Sequence, residues 1–467
     1  MAAVLGIAAV VTVVAIGAYF MASETLHDSV RNRGETRAFQ VANSGLELEL
    51  ATFNSDNLDD YPKNGTTEDG SYAVTVQQLD AYEYIIQCRG VSEGASEIVT
   101  QRFFYLNLWD LNMGAGEGAS LGGGSAWNGQ ATIDGPLYIR GDMEWGSSSN
   151  YYGGPLFIRE GKLITTHGGA GCDLGTAADP VRVYCTGGTV DLHKIDAHID
   201  GPVRTSVPDI ELPWVTSDYM DAAEELARKE STDNKMGGTA SSAPNTETVI
   251  IHLVPQSYAD GTTIPGRRMA DTAPAGTSDY YKYRGDAGGH GPLNNGTHTL
   301  DIGAASFGAW PGNGYDAASA TFDDFAYDAG TGTLYVNGTV LIDGPVNILA
   351  GVNNYVGNGT LVCNGDVYIE GNLVPRDGLS ASEALGIVTA GDVWLHREAM
   401  TGAVFCNGTF TLDKPGTVYE GTVLAGVISA TSPNITLRTN PILKDVLPES
   451  MPGAGGGLIF PGTWSRQ

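Results

Sequence analysis

MAAVLGIAAVVTVVAIGAYFMAS, residues 1–23, contains no charged side chain, and the first to appear is Glu24. How this stretch is read decides the fold. A membrane-crossing helix needs about 20 apolar residues at 1.5 Å each, and Met1 to Met21 supplies them. A secretory signal peptide needs basic residues ahead of a shorter apolar core. None stands ahead of this one, so the stretch is read as a segment whose leader has been cut away, its positive-inside signal leaving with it. The following SETLHDSVRNRGETRAFQVANSGLELELATF, ending at Phe53, has no proline and only two glycines. Nothing in it breaks a helix. One helix from Met1 to Phe53 would be roughly 80 Å long at 1.5 Å per residue. Its first half is apolar all round and must bury every face. Its second half carries Phe39, Ala42, Leu46, Leu50 and Phe53 at steps of three and four, a single stripe that needs a partner on one side.

The uncharged opening, together with RAFQVANSGLELE at 37–49, resembles the N-terminal region of the type IV pilin superfamily. It is most similar to the PilX-type pilin-like proteins, where an Ala-Phe-x-x-Ala-x-x-Gly segment closes the N-terminal helix. The resemblance covers about 50 of 467 residues. It implies a helix that waits in the cytoplasmic membrane and then packs in the core of an extracellular filament. Met1, Leu5, Ile7, Val11, Val14, Ile16 and Phe20 would supply the apolar contacts, and Gly6 and Gly17 close approach. The implied partners are other copies or related pilins, a prepilin peptidase and the inner-membrane assembly machinery. An N-terminal methylation at Met1 goes with that processing. One departure is plain: Leu5 stands where most major pilins carry a glutamate, which favours a minor or tip subunit.

The body of the chain repeats itself. ATIDGPLYI begins at Ala131, AHIDGPVRT at Ala197 and VLIDGPVNI at Val340. The first two lie 66 residues apart, Asn337-Gly and Asn358-Gly 21 apart, and Asn364-Gly and Asn407-Gly 43 apart. Short alternating strands recurring every 20–25 residues, with Asn-Gly corners, are the mark of a solenoid. Sixty-four glycines agree with a turn-rich, mainly β structure. The expected fold class is therefore α+β: a long N-terminal pilin-like helix followed by a mainly-β domain, read as a parallel β-helix, with an antiparallel β-sandwich as the alternative. The expected divisions are the helix at 1–53, connecting strands packed on it at 54–130, and the solenoid at 131–441. A decorating insertion at about 209–320 contains an amphipathic helix over 217–232. A Gly-rich tail at 442–467 would cap the solenoid or dock on a neighbour.

A formal charge of −29 argues against nucleic acid, because phosphate binding needs clustered Lys and Arg. The five cysteines form no C-x-x-C, so zinc-ribbon and thioredoxin readings fail. Cys172 with Cys185, and Cys363 with Cys406, are candidate disulfides, with buried thiols as the equal alternative and Cys88 left over. No cofactor is expected. Calcium is a candidate at Asp323, Asp324 and Asp328, where hard oxygen ligands gather. Asn-x-Thr sequons stand at Asn64, Asn295, Asn337, Asn358, Asn407 and Asn434, as candidate glycosylation sites or as turn chemistry. Arg-Gly-Asp occurs at 140–142 and 284–286, where a tight turn accounts for it. Trp145, Tyr151, Tyr152, Tyr280, Tyr281 and Tyr283 sit in Gly- and Ser-rich loops, as candidate contacts for sugar rings or partner proteins.

No G-x-S-x-G, H-E-x-x-H or P-loop occurs. The expectation is a non-enzymatic structural subunit of a pilus-like filament. Two alternatives stand beside it: a tip pilin or adhesin that binds glycan, and a membrane-tethered β-helix enzyme acting on polysaccharide through Asp323 or Asp324.

Overall fold

The computed structural model describes residues 2–466 except 122–130, 146–148, 166–171, 188–194, 213–214, 217, 221–247, 253–255, 258–262, 265–299, 305–324, 449–450 and 453–457. For residues 2–17 and a few strand positions, the backbone alone is described. The chain is α+β, a long N-terminal helix followed by mostly β structure. It divides into two compact units, Met1–Leu106 with Gly457–Gln467, and Asn107–Gly456.

The first unit is built on one unbroken helix, α1 (Ala2–Ala51). Four strands follow: β1 (Lys63–Thr67), β2 (Gly70–Gln78), β3 (Glu83–Ser92) and β4 (Ala95–Leu106). They form an antiparallel meander. Glu93 and Gly94, both at positive φ, make the two-residue turn between β3 and β4, the left-handed pair that a twisted hairpin requires. A fifth strand, Leu458–Arg466, adds antiparallel to the free edge of β4. The tail expected to cap the solenoid or reach a neighbour thus belongs to the helix unit.

The sheet takes α1 along a stripe of mostly small side chains. Ala38, Val41, Ala42, Leu46 and Glu49 are buried, as are Gly34 and Gly45. A Cβ at Gly90 of β3 would lie 2.2 Å from the Ala38 carbonyl oxygen and 2.5 Å from the Ala42 nitrogen. Helix backbone and strand backbone therefore touch, which only glycine permits at this point. The expected clamp residues line this interface. Ala42, Leu46 and Phe53 are in its core, with Phe39 and Leu50 packed on its margin. Phe53 meets Tyr84, Phe103 and Tyr105 edge-on, with ring centroids 5.2, 5.0 and 5.1 Å away. Phe39 is covered by the far end of the chain: Trp464 meets its ring at 5.9 Å, and the Arg466 guanidinium lies 4.8 Å above it.

The second unit is the parallel solenoid expected from the repeats. Its rungs do not stack in sequence order. Met113–Leu121 and Ala131–Asp134 form a rung in the middle of the stack. Rungs at 137–152, 156–174 and 183–197 grow from it toward one end. At the other end Thr248–His252 and Leu300–Ile302 form a rung beside 338–348. From there rungs at 354–369, 383–395, 399–412 and 418–438 run back to the middle. The last lies in parallel register on Met113–Leu121 and Ala131–Asp134. One file of the core shows the continuity. Val340, Leu361, Ile387, Val404, Val423, Met113, Leu137, Leu156 and Val183 follow one another in register and are all buried. No coil can bury its apolar face alone, and stacking closes the core.

The crossing between the two ends begins as an extended strap against the stack. Arg159 donates to the Val207 carbonyl (2.9 Å) and pairs with Asp209 (2.8 Å). The Ile210 amide donates to the Tyr138 hydroxyl (3.2 Å). The Asn407 side-chain amide makes a two-way pair with the Val215 backbone at 2.8 and 2.6 Å. The insertion expected at about 209–320 therefore contributes this strap and a full rung. The helix expected over 217–232 lies almost wholly outside the described residues. The sandwich alternative is overturned by the parallel registers. Among the described residues, antiparallel pairing in this unit is confined to two hairpins, Phe325–Asp328 with Thr333–Val336 and Gln256–Ser257 with Thr263–Ile264, and one isolated bridge, Ser380 with Glu383.

Candidate functional site

Two surfaces carry the features that function can use. The first is the N-terminal half of α1. From residue 18 to residue 33 every side chain is exposed apart from the half-exposed Ser23. Tyr19, Phe20 and Met21 are 72, 63 and 68% exposed, and Leu26 and Val30 follow on the next turns. Isolated apolar residues are ordinary on a surface; a run of five on one bare helix is not. The expected core contacts Met1, Leu5, Gly6, Ile7, Val11, Val14, Ile16 and Gly17 lie outside the described side chains. Among the described residues, no helix is long and apolar enough to cross a membrane.

The second surface is one outer file of the solenoid. In-register positions run Asp301, Asn347, Tyr368, Trp394, Thr411 and Ser429. Successive strands lie about 4.8 Å apart, so the two aromatics rise on adjacent steps. The Tyr368 ring stacks on His396, with centroids 6.2 Å apart and planes at 20°. That leaves an open cavity of about 470 Å³ lined by Pro345, Asn347, Asp366, Tyr368, Trp394 and Asp413. Its polar walls are held. Asn347 donates to Asp301 (2.7 Å), an Asp366 oxygen accepts the Asp392 amide (2.9 Å), and His396 Nδ1 bonds Asp413 (2.7 Å). The Tyr368 hydroxyl is raised above its ordinary pKa, first by burial and then by the carboxylates of Asp413 and Glu370.

Most residues singled out from the sequence have structural duties. Cys363 and Cys406 are not bridged. They stand in one inward file with Thr389 between them, two strand spacings apart, beyond the roughly 7 Å that a disulfide spans. Both are buried free thiols pushed upward in pKa by desolvation. Cys185 pairs in register with Ile158, and Cys172 with Ile195 on another face of the coil; the Cys172 side chain lies outside the description. Cys88 is buried beneath α1 and raised to about 12, chiefly by burial.

Tyr151, expected as a ligand aromatic, is fully buried and donates to the Gly154 and Pro155 carbonyls. Tyr152 is half-buried and donates to Asp173 (3.1 Å). The Trp145 side chain and Tyr280, Tyr281 and Tyr283 lie outside the described residues, as do Asn295, Asp323 and Asp324. Asp328 shapes a turn, accepting from the Gly330 amide and the Thr331 hydroxyl, both at 2.8 Å. No group of ligating side chains that could hold a metal occurs among the described residues. Among the sequons, the Asn358 and Asn407 amides are committed to backbone carbonyls. Asn337 is half-buried, and Asn64 and Asn434 are exposed, Asn434 at positive φ. The first Arg-Gly-Asp is a solenoid corner: Arg140 pairs with Glu160 (3.1 Å), and Asp142 accepts the Lys162 amide (3.0 Å). The second lies outside the described residues.

Two features escaped the sequence reading. One is the glycine contact at Gly90. The other is the Tyr368–Trp394 step, which becomes visible only when NGDVYI (364–369) is aligned with AGDVWL (390–395).

No known protein family matches this sequence, and no curated protein matches it. Among solved structures it is similar to the competence-associated pilin ComZ from Thermus thermophilus, at 15% identity and a TM-score of 0.44, covering 93% of this chain and 97% of that one. A likeness of that strength bears no functional argument.

Proposed function

We propose that this chain is a structural, pilin-like subunit of an extracellular filament. It is held in the cytoplasmic membrane before assembly and joined to other copies or related subunits through α1. The observation that carries the reading is the asymmetry of that helix. Its C-terminal half is clamped to its own sheet by glycine-close packing, while residues 18–33 stand uncovered with five large apolar side chains. Burying such side chains stabilises by about 1.5–3 kcal/mol each, enough in sum to drive helix–helix association. The uncharged residues 1–17 continue the same helix, in keeping with the family resemblance of the opening segment. In this reading the solenoid is the exposed body of the subunit, and it performs no catalysis. A prepilin peptidase and inner-membrane machinery are the partners that such processing requires.

The test is cross-linking in native preparations. Under a mild thiol oxidant, the Phe20→Cys/Leu26→Cys double variant should give disulfide-linked ladders in sheared surface fractions and each single variant a dimer, while a Leu48→Cys control on the clamped half gives less. Mass spectrometry should find a methylated N-terminus. Singly dispersed, lipid-bound molecules with no ladder in any surface fraction would overturn the reading.

A further inference from the structure

Beyond assembly, we propose that the Tyr368–Trp394 step of the solenoid is a binding subsite for a neutral glycan chain. The argument is independent of filament formation. Sugar recognition needs aromatic faces for the apolar side of a pyranose ring and fixed polar groups for its hydroxyls. This cavity supplies both. Trp394 and Tyr368 occupy adjacent rungs about one strand spacing, ~4.8 Å, apart, a rise suited to consecutive sugar units. One face of the Tyr368 ring is backed by His396, and Tyr368 and Trp394 both line the opening. Asn347, Asp366 and Asp413 offer an amide and carboxylate oxygens along its walls.

Those groups are pre-organised. Asp301 holds Asn347, the Asp392 amide holds one oxygen of Asp366, and His396 holds one oxygen of Asp413. Side chains already fixed lose little freedom on binding. The charge selects among glycans. The cavity is lined by two carboxylates and no Lys or Arg, on a chain of net charge −29. A uronate or sulfated polymer would meet like charge there, whereas a neutral or N-acetylated chain meets acceptors for its hydroxyls and amides. Asp301, Asp392 and His396 bond the lining groups, and Glu370 lies near enough to Tyr368 to act on its hydroxyl.

The experiment titrates the full chain, in detergent where needed, with cellohexaose, maltohexaose, N-acetylchitohexaose and hexagalacturonate, following tryptophan fluorescence and heat. At least one neutral hexasaccharide should bind with quenching. Trp394→Ala should weaken it tenfold or more, and Tyr368→Ala severalfold. Trp464→Ala, a half-exposed tryptophan on the helix unit, should leave binding unchanged. Thermal unfolding of each variant checks that the solenoid persists. Trp394→Phe, which keeps a ring and the fold, should retain most of the affinity. Three outcomes overturn the proposal: no binding of any neutral hexasaccharide, equal binding by folded Trp394→Ala, or tighter binding of hexagalacturonate. Because no step depends on polymerisation, sugar binding by a protein that gives no ladder in any surface fraction refutes the filament reading alone, and a ladder-forming protein that binds none refutes this one alone.

Discussion

In the helix unit the helix and the sheet meet where a side chain is missing: Gly90 lets the β3 backbone reach the helix backbone at Ala38 and Ala42. In the solenoid the core is closed where side chains are present, in files such as Val340, Leu361, Ile387 and Val404 that fill the space between rungs. Both arrangements reach close packing, yet they fail in opposite directions. Adding one carbon should break the first, and removing a few should break the second.

The largest effect is expected in the solenoid. Leu361→Ala removes a fully enclosed side chain with like neighbours above and below, and should cost about 2–5 kcal/mol, read as a lower denaturant midpoint and faster amide exchange over 338–395. Gly90→Ala should cost about 1–3 kcal/mol, since its Cβ meets backbone that cannot rotate away. The marker is faster exchange in 38–46 and 86–92 with the solenoid amides unchanged. If Gly90→Ala is neutral while Leu361→Ala is severe, the contrast drawn between the units is wrong.

A smaller effect tests the corners. The Asp392 carboxylate accepts the Thr409 amide across a rung boundary (2.6 Å), and Asp366 does the same for Asp392. Asp392→Ala should cost about 1–2 kcal/mol and Asp392→Asn less, measured by urea unfolding. The smallest effect concerns pH. Glu383 is buried and its carboxyl is held above the ordinary carboxylate range, mainly by desolvation. A carboxyl with a raised native pKa binds protons more tightly when folded, so its contribution to stability falls as pH rises from the unfolded value of about 4.3 through the native one. Glu383→Gln should therefore raise the melting temperature slightly at pH 7 and leave it unchanged below about pH 4. An equal gain at both values would show that Glu383 is not the group concerned.

Much of this was legible beforehand. The helix could be read because a long run without proline has few other options, and the stripe Phe39–Phe53 located its inner face. The repeated IDGP and Asn-Gly phrases gave the parallel coil. What escaped reading was long-range. Nothing near Met113 announces that its neighbour is Val423, and nothing in the Gly-rich tail announces that Trp464 will cover Phe39. Strand pairing is set by the whole stack, whereas the repeat specifies only the shape of each coil. The aromatic step was missed for a related reason. Tyr368 and Trp394 are 26 residues apart, and each by itself is an unremarked strand residue. For the cysteines the residues left a bridge and a buried thiol equally open, and the register decides for the thiol by setting Thr389 between Cys363 and Cys406.

The out-of-order stacking has a consequence for synthesis. The rung at 113–134 emerges early from the ribosome, yet its second neighbour, 418–438, is some 300 residues behind it. Until that segment arrives, one row of parallel hydrogen-bonding groups lies open to any other extended chain. The free edge of β4 waits longer still, for Leu458–Arg466. Chain growth should thus pass through a long window in which both sheets are unfinished, and a ribosome stalled before residue 418 would hold a nascent product prone to aggregate.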